Sequence, residues 1–403
     1  MENTKWVSTW ANATSIITRQ VENYTKDITL RYPIKSAFKG SKLRFGFSNF
    51  CGTESITITG ATVAKSDEKG NLLSDTTAIT FDGKESVTIE KGIEIKSDEI
   101  PFNINSDEYI SVSFYLKDFT ETRSAVLVTG PLSKGYYALG NNINEKVLPV
   151  EKMKSTNWFY FLNNVEVLTE EKNKTVICYG DSITAQSWPD YLAEKCFENY
   201  KDTAIVRRAV CGTRILRQYE CIQYDSYGLK GSNRFEREIS SVSGADSVII
   251  QHGINDIIHP VGVENNVFRP WSDLPTAEEM IAGIEEYIKI ARNLGLKVYG
   301  GTLLPIEGWR TYADFREKLR NEVNDWIRTT DKFDGVVDFD KALRDENNHS
   351  AFKNGYDSGD HLHPSEIAYK VMAETVPESI LEYVYFKFFN FYCLCNINYG
   401  LWC

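Results

Sequence analysis

Five residues between positions 182 and 363 are of the right types to move an acyl group. Ser182 stands in Gly180-Asp-Ser182-Ile183, Gly212 in Val210-Cys-Gly212-Thr-Arg214, and Asn255 in Gly253-Ile-Asn255-Asp256. Asp360 and His363 stand in Asp360-His-Leu-His363-Pro364. Cleaving an ester through a covalent intermediate requires a nucleophile, a base to take its proton, and hydrogen-bond donors where the carbonyl oxygen becomes negative. Ser182 supplies a hydroxyl, His363 a base, and Asp360, three residues earlier, a carboxylate that can fix the imidazole tautomer. The backbone N–H of Ser182, the backbone of Gly212 and the side-chain amide of Asn255 supply oxyanion donors. Taken singly, each motif is an ordinary helix cap or turn. Their order along the chain, each at the end of an apolar run, gives the set its meaning.

The apolar runs predict where those ends lie. Residues 176–179, 204–206, 247–251, 297–304 and 335–339 are short and strand-like. Helical patterns separate the last three. One opens on the capping box Thr276-x-x-Glu279, continues through Ile281, Ile284, Ile288, Ala291 and Leu294, and stops at Gly295. A second runs from Tyr312 to Thr329 through Phe315, Leu319, Val323 and Trp326. A third is expected to follow the His363 loop, from Ser365 to about Val384. Strand–helix alternation of this kind predicts an α/β fold with a doubly wound parallel sheet, whose loops at the strand C-termini carry the site. The first 170 residues read differently. Period-two runs such as Lys42-Leu-Arg-Phe-Gly-Phe-Ser48 and Tyr109-Ile-Ser-Val-Ser-Phe114, split by Asp82-Gly83 and Lys91-Gly92, predict an antiparallel β-sandwich. The expected division is a sandwich over residues 1–170, a catalytic domain over 171–385, and an aromatic and cysteine-rich tail over 386–403.

Composition bounds the partners. A chain of 403 residues, 42% hydrophobic and with a formal charge of −11, suits two globular cores and neither nucleic acid nor an anionic membrane surface. No signal peptide or clean apolar 20-mer is visible, so membrane insertion is not expected and the default location is the cytoplasm. Cys178 and Cys196 read as packed, reduced thiols, and the spacing of Cys393, Cys395 and Cys403 fits no familiar zinc set. Neither a catalytic metal nor a cofactor is expected.

At these residues the sequence resembles the SGNH hydrolase superfamily, the GDSL esterases. Gly180-Asp-Ser182, Gly212, Gly253-x-Asn255-Asp256 and Asp360-x-x-His363-Pro364 look like its four blocks. The segment Tyr227-Gly-Leu-x-Gly-x-x-Arg-Phe-Glu-Arg237 also resembles it, as does Phe333-Asp-Gly-Val-Val-Asp-Phe-Asp340. Trp6 and Trp10 resemble the opening of the sandwich in the family's bacterial two-domain members. The resemblance implies a flavodoxin-like catalytic domain behind a jelly-roll-like sandwich, and the same roles for Ser182, Gly212, Asn255, His363 and Asp360. It also implies activity on lysophospholipids or acetylated carbohydrates. The leading expectation is hydrolysis of short acyl esters, above all acetyl esters on carbohydrate. The alternatives are a lysophospholipase-like lipid hydrolase and a carbohydrate-binding protein with a vestigial esterase domain.

Other residues are expected to support rather than react. His361, where many members carry Gly, is expected to point away from Ser182. His252 and His259 read as structural, and Cys211, Arg214 and Tyr224 as packing residues. Trp309 is expected to wall the acyl or sugar pocket. Tyr and Asn side chains of the sandwich, among them Asn141-Asn-Ile-Asn144, are candidates for binding sugar.

Overall fold

In a computed structural model, residues 3–16, 23–221, 224–264 and 266–382 are described. The tail expected at 386–403, with Cys393, Cys395 and Cys403, lies outside them.

Alternating sequence produces the first unit. In Gly40–Ser48, Leu43, Phe45 and Phe47 turn inward while Arg44 turns outward, where it stacks 4.5 Å over Trp6. One antiparallel sheet runs in the order Thr4–Ala11, Leu162–Glu170, Gly40–Ser48, Glu94–Lys96, with Ile100–Ile104 also paired to Gly40–Ser48. A second runs Met153–Thr156, Gly135–Leu139, Ile28–Lys35, Tyr109–Leu116, Gly60–Ser66, Thr77–Ala78. Their inner faces share one core, in which Phe47 meets Phe114 edge-on at 5.6 Å.

The alternation of Tyr109–Leu116 does not translate into one wet face, because both sides are buried. On the outer side Arg31 lies across the sheet. It donates to Ser113 Oγ at 2.8 Å and to the carbonyls of Gly70, Asn142 and Glu145 at 2.8 to 3.1 Å. The Asn141–Asn144 loop therefore serves the fold: Asn142 is buried and its amide donates to the carbonyls of Leu139 and Gly140.

The second unit is a parallel sheet of β1 (Lys174–Gly180), β2 (Thr203–Ala209), β3 (Ala245–Gln251), β4 (Lys297–Gly301) and β5 (Gly335–Val337), in the spatial order β2-β1-β3-β4-β5. Strand β1 is followed on one side by β2 and on the other by β3, so their loops diverge at a switch point where open α/β sheets bind ligands. Helices α1 (Ser182–Ala185), α2 (Trp188–Asn199), α3 (Gly231–Ser240), α4 (Ile254–Ile258), α5 (Ala277–Asn293), α6 (Asp314–Thr329), α7 (Phe339–Leu343) and α8 (Glu366–Thr375) connect and cover it. Helix α5 packs beside α3 and α6, and α8 beside α2 and α7.

The Thr276–Glu279 capping box closes reciprocally, as the spacing predicts. Helix α6 starts at Asp314, not Tyr312, and Phe315 on its first turn is exposed while Leu319 and Val323 are buried. Helix α8 stops at Thr375 because Pro377 cannot continue it, and a separate turn, Glu378–Leu381, follows. The single helix expected to Val384 is thus two. Among the described residues no helix is long and apolar enough to cross a membrane.

The two units share buried structure. Ala185, Ala209 and Val210 pack into the sandwich core. Ser8 and Ser243 exchange hydrogen bonds of 2.8 and 3.1 Å, and Thr175 Oγ1 donates to Ser8 O at 2.8 Å. Glu166 of the sandwich accepts from Ser243 Oγ at 2.6 Å as well as from Lys96 and Arg44. Arg208, fully buried on β2, donates to the carbonyls of Asn12 and Asn163 and to Ser241 Oγ. Burial pulls its pKa down to about 10, against the pull of the Glu238, Glu94 and Glu166 charges.

A buried cation with three acceptors predicts cooperative unfolding. Thermal unfolding followed by near- and far-ultraviolet circular dichroism should give one coincident transition. Arg208→Ala should lower urea-measured stability by about 3 kcal/mol, the scale of losing charged hydrogen bonds and stranding carbonyls. Two separated transitions in the parent protein would contradict this linkage.

Candidate active site

The site begins where β1 runs out. Gly180 has room for no side chain, since a Cβ there would stand 2.4 Å from Gln251 O on β3. Its carbonyl takes a hydrogen bond from Arg234 Nη2 at 2.8 Å. Arg234 also stacks on Tyr179 at 4.4 Å and is paired with Glu238. Asp181 then turns the chain into α1, with its Oδ1 accepting the Ile183 N–H at 3.0 Å. Ser182 occupies the first helical position, where a backbone N–H has no partner within the helix.

The loop carrying His363 comes from the other end of the sequence and is shaped by its own carboxylates. Asp357 Oδ1 accepts the N–H groups of Gly359 and His361, and Asp360 Oδ1 those of Leu362 and His363. These turns present the His363 ring to Ser182. Ser182 Oγ lies 2.8 Å from His363 Nε2, and His363 Nδ1 lies 2.6 Å from Asp360 Oδ2. Ionised Asp360 accepts the Nδ1 proton, which leaves Nε2 as the acceptor for the serine hydroxyl. Partial burial pushes the Asp360 pKa upward. The hydrogen bonds from the His363 ring and backbone outweigh it and hold the carboxyl well below the usual range. His361 turns away: its backbone is left-handed (φ 63°) and its ring nitrogen meets Asp357 at 2.5 Å.

The oxyanion candidates are tied to one another. Gly212 adopts φ +78°, and a Cβ there would fall 2.1 Å from the Tyr227 ring. The next carbonyl, Thr213 O, accepts Asn255 Nδ2 at 3.0 Å and His252 Nε2 at 3.2 Å. One N–H of Asn255 is thereby engaged, and the second remains for a ligand. Asp256 accepts the N–H groups of Ile215 and Leu216 at 2.7 and 3.0 Å, clamping the Gly212 loop to α4.

The remaining histidines and neighbours hold structure. His252 is buried, donates from Nε2 and accepts the Tyr287 hydroxyl at 3.2 Å, and burial keeps its pKa well below the ordinary value. His259 meets the Tyr219 hydroxyl at 3.0 Å. Arg214 is buried and paired with Asp273, and burial pushes the Cys211 thiol up to about 12. Tyr224 stacks with Tyr227. Trp309 packs against the hydrolase core with Arg310 stacked on it, and the adjoining Gly308 abuts the His361 ring. Asp256 and Arg234 lay inside quoted motifs, but their tasks depend on partners 41 and 54 residues away. Among the described residues no group of three or more His, Cys, Asp or Glu side chains could hold a metal ion.

Two predictions follow from this packing. Gly212→Ala combines a left-handed backbone with a ring clash and should lower kcat/KM by about tenfold to a hundredfold, read on p-nitrophenyl acetate. Asp181 is buried with Oδ2 unpartnered, and burial raises its pKa to about 7. Unfolded, it would titrate near ~3.9. Between those values the folded state holds a proton that the unfolded state releases, so stability falls as pH rises from about 4 to about 7. The Tm of Asp181→Asn minus that of the parent should therefore grow from pH 5 to pH 8. A constant difference would show that Asp181 does not titrate there.

Residues 178–371 match the GDSL-like Lipase/Acylhydrolase family. No curated protein sequence matches. Among solved structures the chain is similar to a GDSL-like lipase from Bacteroides thetaiotaomicron VPI-5482 (18% identity, 52% of this chain and 89% of that one, TM-score 0.36). It is also similar to a catalytic mutant of an acetylxylan esterase from Geobacillus stearothermophilus (16% identity, 50% of this chain and 91% of that one, TM-score 0.38). Residues 178–371 belong to the GDSL-like lipase/acylhydrolase family, within the SGNH hydrolases, and the protein is a carboxylic ester hydrolase.

Proposed function

We propose that the protein hydrolyses short acyl esters, above all acetyl esters borne on carbohydrate, through a Ser182–His363–Asp360 triad. The observation that carries the reading is the continuous relay from Ser182 Oγ through His363 to Asp360 at 2.8 and 2.6 Å. As Ser182 Oγ attacks the ester carbonyl, His363 Nε2 takes its proton, and Asp360 stabilises the imidazolium while holding its orientation. Negative charge gathers on the carbonyl oxygen, where the N–H groups of Ser182 and Gly212 and the free N–H of Asn255 donate. Collapse expels the alcohol, which receives the proton from His363. Water then enters, gives a proton to His363 and attacks the acyl-serine. The second tetrahedral intermediate returns Ser182 and releases the carboxylate.

The family supports acyl-ester hydrolysis, and the proposed acetyl preference goes one step further. It is tested with p-nitrophenyl esters of increasing chain length and acetate release from acetylated saccharides. Activity should fall beyond butyrate, and a rise with chain length would favour the lysophospholipase-like alternative.

Ser182→Ala and His363→Ala should each remove nearly all activity, and the double variant should be little worse than either alone, because the two act as one unit. A double variant showing the product of the single losses would overturn the triad. Asn255→Ala should lower kcat by about 10² to 10³ with KM little changed. An effect confined to KM would make Asn255 a binding residue instead.

A further inference from the structure

Two helices that start beside the triad are joined by a polar ladder. Helix α2 begins at its cap Ser187, shortly after Ser182, and α8 begins at Glu366, shortly after His363. The two pack side by side. The ladder uses Ser187, Tyr191 and Lys195 on α2 and Glu366, Lys370 and Glu374 on α8. Residues spaced by four lie along one helix face, so each set forms a row. At the first rung Glu366 accepts the Ser187 hydroxyl at 3.1 Å through one oxygen and the Tyr191 hydroxyl through the other. Lys370 Nζ lies 5.1 Å from the Tyr191 ring centroid, and Lys195 pairs with Glu374 at 2.8 Å. The rungs follow the same order on both helices, which therefore run parallel away from the triad.

The first rung differs from an ordinary surface contact. A serine at a helix cap commonly accepts an N–H from the first turn. Ser187 makes no such bond, and its hydroxyl donates to Glu366 instead. Ser187 is 4% exposed, whereas Glu366 is exposed, and exposed charged groups contribute little to stability. What the bridge fixes is register. Ser182 and His363 meet at 2.8 Å across 181 residues of chain. Apart from that contact, the Glu366 bridge is the hydrogen-bonded link between the two segments nearest to it in sequence, among the described residues. A slip of about 1 Å between α2 and α8 would separate base from nucleophile, and misplacement on that scale can cost about a hundredfold in rate.

We propose that Glu366 is a positioning residue: by holding Ser187 and Tyr191 it sets the register of α2 against α8, and with it the approach of His363 Nε2 to Ser182 Oγ. The proposal rests on the triad reading above and adds to it a residue that acts through the triad.

The test measures kcat and KM on p-nitrophenyl acetate, Tm, and the rate at which a fluorophosphonate labels Ser182, all in the full-length protein. Glu366→Ala should lower kcat about tenfold and slow labelling in parallel, with KM within twofold and Tm within ~2 °C of the parent. Glu366→Gln offers a carbonyl and an amide to two hydroxyls that can accept as well as donate, and should restore kcat to within threefold. Lys195→Ala cuts the rung farthest from the triad and should leave kcat within twofold. A Glu366→Ala protein with kcat within twofold of the parent overturns the proposal. So does a loss of kcat that Lys195→Ala matches, or one that Glu366→Gln leaves unrepaired. If Glu366→Ala does not fold, Tyr191→Phe decides, because it keeps the ring beside Lys370 and removes one donor to Glu366. A fall of at least threefold in kcat and in labelling rate supports the register role, and a smaller fall overturns it. A parent enzyme that Ser182→Ala leaves active defeats the triad reading and this proposal with it. An unimpaired Glu366→Ala beside an inactive Ser182→Ala defeats the proposal alone.

Discussion

A single buried carboxylate, Asp256, joins the parts of the site that the chain alone would leave apart. It sits on α4 one residue after Asn255 and accepts the backbone N–H groups of Ile215 and Leu216, three and four residues after Gly212. Burial raises its pKa to about 6, and those two donors, with the Arg214 and Arg217 charges, oppose the rise. The clamp fixes the distance between two loops that leave different strands, β2 and β3. Thr213 O repeats the constraint by accepting from Asn255 and His252 together. Donors aimed at a developing oxyanion are effective only when they need no rearrangement as charge appears. Here the rigidity comes from hydrogen bonds between loops rather than from any one loop's own conformation.

The proposed nucleophile, Ser182, is held from behind in the same manner. Arg234 fixes the Gly180 carbonyl, and Thr129 N of the sandwich donates to Ala185 O at the far end of α1 at 3.0 Å. Asp190 on α2 accepts the Leu132 N–H and the Ser133 hydroxyl, both at 2.9 Å, and is paired with buried Arg207. Gly130 must be glycine in this arrangement, since its φ is +149° and a Cβ would strike the Asp190 carboxylate at 2.2 Å. The sandwich is therefore part of the scaffold that orients Ser182, in addition to covering an apolar edge.

Much of the site was legible because its signals are local. Gly180-Asp-Ser182 and Gly253-Ile-Asn255-Asp256 each place a candidate group within a few residues of a strand end, and strand ends follow from apolar runs; Asp360-His-Leu-His363 instead sits in a loop well beyond Gly335–Val337, just before Glu366–Thr375. The Thr276–Glu279 cap is local too. The seam was illegible for the opposite reason: Arg208, Glu166 and Asp190 find their meaning only in partners far along the chain. Charged residues in strand-like runs look the same whether they face water or a second domain. The alternation in Tyr109–Leu116 is similarly silent about its second buried side, where Ser111 and Ser113 are buried and Arg31 donates to Ser113. The overlong final helix is a different failure, since Pro377 was visible and should have ended it. Phe315 was counted with an apolar stripe whose first turn the fold leaves in solvent.

The central claim is that Ser182 is the activated nucleophile. The most direct measurement is labelling the full-length protein with a fluorophosphonate, which reacts with serines made nucleophilic by an adjacent base, followed by peptide mass spectrometry. The account predicts one stoichiometric adduct, on Ser182, formed at least a hundredfold more slowly in His363→Ala, a scale set by loss of the base. Labelling of another serine in the parent protein, or equal labelling of Ser182 without His363, would contradict it.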